Sequence, residues 1–165
     1  NPFIVRPKEV GIFIISQLEY SRGGSNDFAG VAVHNRQFPI DEEGKMASAD
    51  EACRHTSCAW WVYGEQTVWA AADRSVACMA QYSENTSRDN GCYRYAELGC
   101  AYTDSSNECG LSAQYARFNQ GTERSVELTW RRQINKTIAL QPSFQYINND
   151  NGDFFVLCAR MCISF

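Results

Sequence analysis

The chain has 165 residues, a net charge of -4 and a sequence pI near 5.2, a size that suits one domain. Its lysines are Lys8, Lys45 and Lys136, against twelve arginines, and no basic run occurs, so a nucleic-acid interface has no electrostatic footprint. The mean hydropathy is -0.41, and no apolar run reaches the ~18 residues of a transmembrane helix. That test leaves barrel strands untouched, because they alternate and average to hydrophilic.

No stretch sustains a helical period or pairs a cap with an apolar run. Short alternating segments follow one another instead, separated by Asn, Asp, Gly and Ser turns. The pattern predicts nine strands at 11–20, 28–38, 59–70, 74–83, 92–103, 109–119, 124–135, 138–148 and 154–165. Most are about ten to twelve residues long. A tilted membrane strand needs about 9–11 residues, whereas a soluble strand has about 5–6. Pro142 falls inside a predicted strand, where it removes a ladder donor.

The faces of the later segments are distinct. In 124–135, Val126, Leu128, Trp130 and Ile134 share a side that Arg132 interrupts, and Glu127, Thr129, Arg131 and Gln133 share the other. In 138–148, Ile138, Leu140, Pro142, Phe144 and Tyr146 oppose Ala139, Gln141, Ser143, Gln145 and Ile147. The final segment places Phe155, Leu157, Ala159, Met161, Ile163 and Phe165 on one apolar side and Arg160 on the other. Strand side chains alternate between two faces. The polar faces suit a solvated exterior or a solvated lumen, and periodicity alone does not choose between them.

Eight cysteines stand at 53, 58, 78, 92, 100, 109, 158 and 162. The even count suggests disulfides in an oxidising compartment. Cys158 and Cys162 lie four apart on one strand, about 13 Å at 3.3 Å per residue, and do not pair with each other. No Cys-x-x-Cys occurs, and His34 and His55 lie apart, so no zinc-ligand spacing is present. Most carboxylates fall in turns, and no nucleophile elbow or phosphate loop occurs. The expectation is a non-enzyme without a cofactor.

Three stretches together resemble a known family. These are Trp60-Trp-Val-Tyr-Gly-Glu-Gln-Thr-Val-Trp69 with Arg74-Ser-Val76, then Tyr93-Arg-Tyr-Ala-Glu-Leu-Gly99, and then the closing run Val126-Glu-Leu-Thr-Trp130, Leu140-Gln-Pro-Ser-Phe-Gln-Tyr-Ile147 and Val156-Leu-Cys-Ala-Arg160. They resemble the carbohydrate-selective porins of Gram-negative outer membranes, the OprB-like family, over about residues 59–165 and more loosely over 10–58. The Leu-Gln-Pro-x-x-Gln-Tyr element is the most specific part.

The resemblance implies an all-β antiparallel meander belonging to a transmembrane barrel of roughly 16 strands. Nine is odd, whereas bacterial single-chain barrels are even, so residues 1–165 are read as the C-terminal portion of a larger barrel. The sheet is accordingly expected to be open. With Phe165 at a periplasmic rim, the links at 149–153, 120–123, 84–91 and 39–58 fall outside, and 39–58 becomes a long external loop. The links at 136–137, 104–108, 71–73 and 21–27 fall on the periplasmic side.

The implied task is passive diffusion of small sugars through a polar lumen. Lumen candidates by parity are Glu65, Glu97, Glu127, Arg131, Gln133, Gln141, Gln145 and Arg160, with Trp61, Tyr63 and Trp69 sharing the parity of Glu65. Membrane-interface anchors are Trp60, Trp130, Phe144, Tyr146 and Phe165, with Trp69 a further girdle candidate. Implied partners are small sugars, outer-membrane lipid, the barrel-assembly machinery through Phe165, and a homo-oligomer. Cysteines are few in that family, and Cys92, Cys100, Cys109, Cys158 and Cys162 stand where glycine or another small residue is expected. The alternative reading is a secreted disulfide-bearing β-domain that binds a ligand such as a glycan.

Overall fold

The computed structural model describes residues 11–35, 56–87 and 91–163. Nine strands follow in order: β1 (Phe13–Arg22), β2 (Ser25–His34), β3 (Ser57–Ala71), β4 (Arg74–Asn85), β5 (Cys92–Thr103), β6 (Asn107–Phe118), β7 (Gly121–Gln133), β8 (Ile138–Asn149) and β9 (Gly152–Ile163). Each pairs antiparallel with the next in a single sheet, in chain order from β1 to β9. This is the expected all-β meander, and β1 and β9 do not pair, so the sheet is open.

The strand ends differ from the sequence expectation chiefly at the turns. The link expected over 21–27 contracts to Gly23 and Gly24, which both take positive φ, 57° and 85°. Two residues of that hand match the twist of a two-residue hairpin. The link expected over 120–123 shortens likewise, because β7 starts at Gly121. The expected loop 39–58 ends earlier: Ser57 and Cys58 already belong to β3, and 36–55 lie outside the described residues.

One irregularity changes a facing. The β3–β4 register shifts between Thr67 and Trp69: Thr67 faces Ala77, and Trp69 faces Val76. Val68 is the extra residue of a β-bulge. Trp69 therefore leaves the side of Trp61, Tyr63 and Glu65 and joins the opposite face, correcting the shared parity that strict alternation gives. Pro142 leaves its own mark. The β7–β8 ladder runs from Thr129↔Ser143 directly to Arg132↔Leu140, and the gap lies where proline lacks an N–H.

The sheet has no second layer among the described residues. Its buried apolar side chains there are Ala32 and Ala139. Leu157 is 81% exposed, Leu18 79%, Phe155 70% and Leu98 66%. Register collects these residues on one face, with Leu98, Ala113, Val126, Tyr146 and Phe155 forming one cross-strand row. Cys100, Leu111, Leu128, Phe144 and Leu157 form the next. A sandwich would cover such a face with a second sheet; here it is bare, as a lipid-facing wall requires.

Cys78 and Cys100 sit directly opposite each other on β4 and β5, with Cα atoms 4.1 Å apart, and form a disulfide on this apolar face. Cys58, Cys92, Cys109, Cys158 and Cys162 are free thiols. A multi-bridge scaffold is therefore not what holds the described sheet together.

The turns are tied by side-chain oxygens. The Asp104 carboxylate accepts from the Ser106 and Asn107 amides at 2.9 and 2.8 Å. Asn135 Oδ1 accepts from the Thr137 and Ile138 amides, both at 2.9 Å. Such Asx turns replace a backbone turn bond with a side-chain one. The two Asp104 backbone bonds and the Asn107 amide hold its carboxyl below the ordinary carboxylate range.

A carboxyl depressed on folding contributes stability that is complete above its unfolded value, ~3.9, and is lost as pH falls through the lower folded value. Asp104→Ala is expected to lower the unfolding temperature in detergent at pH 7, with the gap to wild type narrowing below about pH 4; a pH-independent gap would refute the assignment. Ala72 is a non-glycine residue at positive φ, 53°, so Ala72→Gly is expected to raise stability by about 1 kcal/mol, read from the midpoint of heat-modifiable gel mobility.

Candidate functional site: the polar face of the sheet

Register assigns the predicted polar residues to one face. Glu65 lies in a row with Asn26, Met79, Gly99, Ser112, Glu127 and Gln145. Glu97 lies in the neighbouring row with Tyr63, Gln81, Gln114 and Ser125. Gln141 faces Arg160 across β8 and β9. Gln133 faces Ala139, which faces Cys162. Arg131 faces Glu108. All eight candidates thus share the side opposite Leu98 and Leu157.

They do not form one cluster. Glu65 and Glu97 are each tied by side-chain hydrogen bonds. Tyr63 Oη donates to Glu65 at 2.6 Å, and Tyr95 Oη donates to Glu97 at 2.7 Å. Gln114 Nε2 donates to Glu97 at 3.3 Å, and Ser125 Oγ donates to Gln114 at 3.1 Å. Arg131 stands nearer the other end, 3.7 Å from Glu108 and 3.4 Å from Gln133. Gln141, Gln145 and Arg160 lie toward the β9 edge, and Glu127 lies beside a recess.

That recess has small residues as its floor. Ala77, Gly99, Ala101, Gly110 and Ser112 line it, with Glu65 and Glu127 also on its wall. A Cβ on Gly110 would come within 2.9 Å of Thr129 Oγ1, and one on Gly99 within 3.3 Å of the Ser112 Cβ. Small residues at facing strand positions let the wall recede there while both carboxylates stay at its sides.

An aromatic strip crosses the same face. The Phe28 and Tyr63 rings stack with centroids 4.5 Å apart and 10° between planes. Trp61 lies across Gly30, where an added Cβ would fall within the indole, and its Nε1 donates to Gln17 Oε1 at 2.8 Å. Glycine at 30 is what allows the ring to lie flat along the strand. Phe28, Tyr95 and Gln114 join the site beyond the residues expected from sequence. The repeat Tyr63-x-Glu65 and Tyr95-x-Glu97 carries a signal for Tyr95, since residues two apart on a strand share a face.

The anchors predicted for the membrane interface occupy the opposite face. Trp60 packs 5.2 Å from Tyr82, and Tyr146 5.2 Å from Phe155. Phe144 stacks 5.8 Å from Phe155. Trp130 Nε1 donates to Asn107 at 3.3 Å. Phe165 lies outside the described residues.

Strands of ten to fifteen residues in a continuous meander, with one bare apolar face and one polar face, define the wall of a transmembrane β-barrel of the porin class. The profile of the carbohydrate-selective porin, OprB family matches residues 19–165. The chain belongs to that family, which places it in the bacterial outer membrane. Pseudomonas putida OprB, in its high-pH structure, is similar over 93% of this chain at 15% identity and a TM-score of 0.73. The outer-membrane expressed OmpT of Vibrio cholerae aligns over 87% of the chain at 10% identity and a TM-score of 0.45. No curated protein matches significantly. The chain spans 48% of the length of each of these two structures.

Gly30→Ala tests the aromatic strip. The added methyl is expected to displace the Trp61 ring, break its bond to Gln17, and cost about 1–3 kcal/mol of stability. Near-UV circular dichroism of the folded protein reads the loss, and an unchanged spectrum with unchanged stability would remove the flat-ring geometry.

Proposed function

We propose that the polar face lines an aqueous lumen through which small carbohydrates diffuse passively down their gradient. The observation that carries this reading is the juxtaposition of flat aromatic rings and anchored hydrogen-bonding groups on one face. A sugar presents hydroxyls at its edge and C–H surfaces on its faces. Trp61, Phe28 and Tyr63 offer ring surface for the second. Glu65, Glu97, Gln114 and Glu127 offer acceptors and amide donors for the first.

The tied carboxylates matter for passage. A carboxylate already accepting from a tyrosine keeps lone pairs for a solute, yet its side chain does not swing freely. The solute exchanges hydrogen bonds with water for comparable bonds with the wall, so the net gain per contact is small. Weak successive contacts suit a channel, which must release what it admits. On the far part of the face, Arg131, Gln133, Gln141, Gln145 and Arg160 continue the ladder, with the arginines supplying fixed forks of donors.

Trp60, Trp130, Phe144 and Tyr146 take the outer side of this wall as interfacial anchors. The strand ends at His34, Ser57, Asn85 and Cys92 then face the external side, where barrels carry their longer loops.

Liposome swelling with the full-length protein tests the reading, using neutral sugars of graded size beside ions. Small sugars are expected to enter and larger oligosaccharides to lag. Trp61→Ala is expected to slow sugar entry about two- to tenfold, the range of a lost aromatic contact of about 0.5–1.5 kcal/mol, with little effect on small ions. Equal entry of ions and sugars in wild type, with no effect of Trp61→Ala, would reduce the wall to a general pore.

A further inference from the structure

Near the end of the sheet that carries the 86–91 and 119–120 connections, the apolar face bears three arginines. Arg94 and Arg117 are direct register partners on β5 and β6. Arg117 also faces Thr122 on β7, and Arg124 stands two residues beyond, facing Tyr115. Arg117 and Arg124 are therefore diagonal neighbours, about 7–8 Å apart by Cα. Like charges placed together destabilise a sheet, so this grouping calls for a counter-charge.

The protein supplies only part of it. Glu84 holds Arg94 in an ion pair at 2.9 Å. The Arg117 guanidinium lies 5.8 Å from the centre of the Tyr93 ring. Arg117 and Arg124 are both exposed, and neither pairs with a carboxylate among the described residues. Two uncompensated guanidiniums thus project from a face that is otherwise built for lipid. Further along the same strands lie Leu98, Ala113 and Val126, with Leu98 66% exposed. An arginine on a lipid face costs about 2–4 kcal/mol at the bilayer midplane but about 0–1 near an interface. Arg117 is next to the end of β6, and Arg124 is in the first turn-proximal stretch of β7, as an interfacial position requires.

We propose that Arg117 and Arg124 bind the phosphate of a phosphorylated glycolipid in the outer leaflet, with its acyl chains laid along Leu98, Ala113 and Val126. The guanidinium fork matches phosphate bidentately. Tyr115 and Thr122, the register partners of these arginines, add hydroxyls suited to a sugar headgroup, which favours a glycolipid over a simple phospholipid. Arg94 is held by Glu84 and so is left out of the phosphate pair. The inference rests on the apolar face meeting lipid with the 86–91 connection outside.

The test uses the full-length protein in zwitterionic detergent and native mass spectrometry. The probes are bisphosphorylated lipid A, dephosphorylated lipid A, phosphatidylglycerol and inorganic phosphate. Wild type is expected to retain bisphosphorylated lipid A and to lose it on dephosphorylation. Arg117→Gln with Arg124→Gln is expected to weaken retention about tenfold or more, as the loss of charge-assisted bonds implies. Arg132→Gln, at the other end of β7 on the same face, removes the same charge and is expected to leave retention unchanged.

Heat-modifiable mobility checks folding, and Arg124→Gln alone, expected to weaken retention about threefold or more, replaces the double variant if the latter does not fold. Unchanged retention in the arginine variants overturns the proposal. So does equal, arginine-dependent retention of phosphatidylglycerol or inorganic phosphate. Sugar entry into liposomes is expected to be unaltered by the double variant. Failure of sugar entry in wild type would count against the carbohydrate reading while leaving the lipid result standing.

Discussion

Backbone hydrogen bonding in a medium without water governs this molecule. An unpaired N–H or C=O in hydrocarbon costs several kcal/mol, so each strand must be satisfied by its neighbours. The unbroken order from β1 to β9 does that for the strands between the two edges. Once the ladder is fixed, side chains have only two directions to take. The separation of acids and amides from leucines and phenylalanines is then a consequence of pairing and not a separate design. Where the ladder yields, at the Thr67/Trp69 shift and opposite Pro142, the cause is a single inserted residue or a single missing donor.

The two faces solve different solvation problems with the same strands. The apolar face keeps large side chains uncovered, which is tolerable because their environment is itself apolar. The polar face holds carboxylates in pairs of contacts with tyrosines and glutamine. Those contacts fix side-chain direction at modest energetic gain, since each replaces a bond to water. Small residues at 99 and 110 and the flat indole over Gly30 shape the surface more than any charge does. Shape and hydrogen bonding are thus distributed over several strands of this face.

Much of this is legible in the chain because period-two alternation survives over long strands. Nine segments, their order and the sides of Glu127, Gln141 and Arg160 all follow from it. Trp69 does not, because a bulge resets parity without any local signature in a run as apolar as Thr67-Val-Trp69. The Gly23-Gly24 hairpin reads as a longer link because serine, asparagine and aspartate around it resemble loop composition, while their pairing partners lie across the sheet. The Trp61–Gly30 contact is hidden for a similar reason: it joins residues on neighbouring strands separated by a long connection, and no window along the chain contains both. The Cys78–Cys100 bridge is invisible for the same cause, since eight cysteines allow many pairings and only register selects one.

That bridge has a topological effect. It joins β4 and β5 across a sequence separation of 22 residues, and the connection from Asn85 to Cys92 lies wholly inside the closed ring. A protease that cut this connection from the membrane surface would produce no release of either half. The nicked molecule would remain one covalent piece, its two strands still clasped within the bilayer and separable only after reduction.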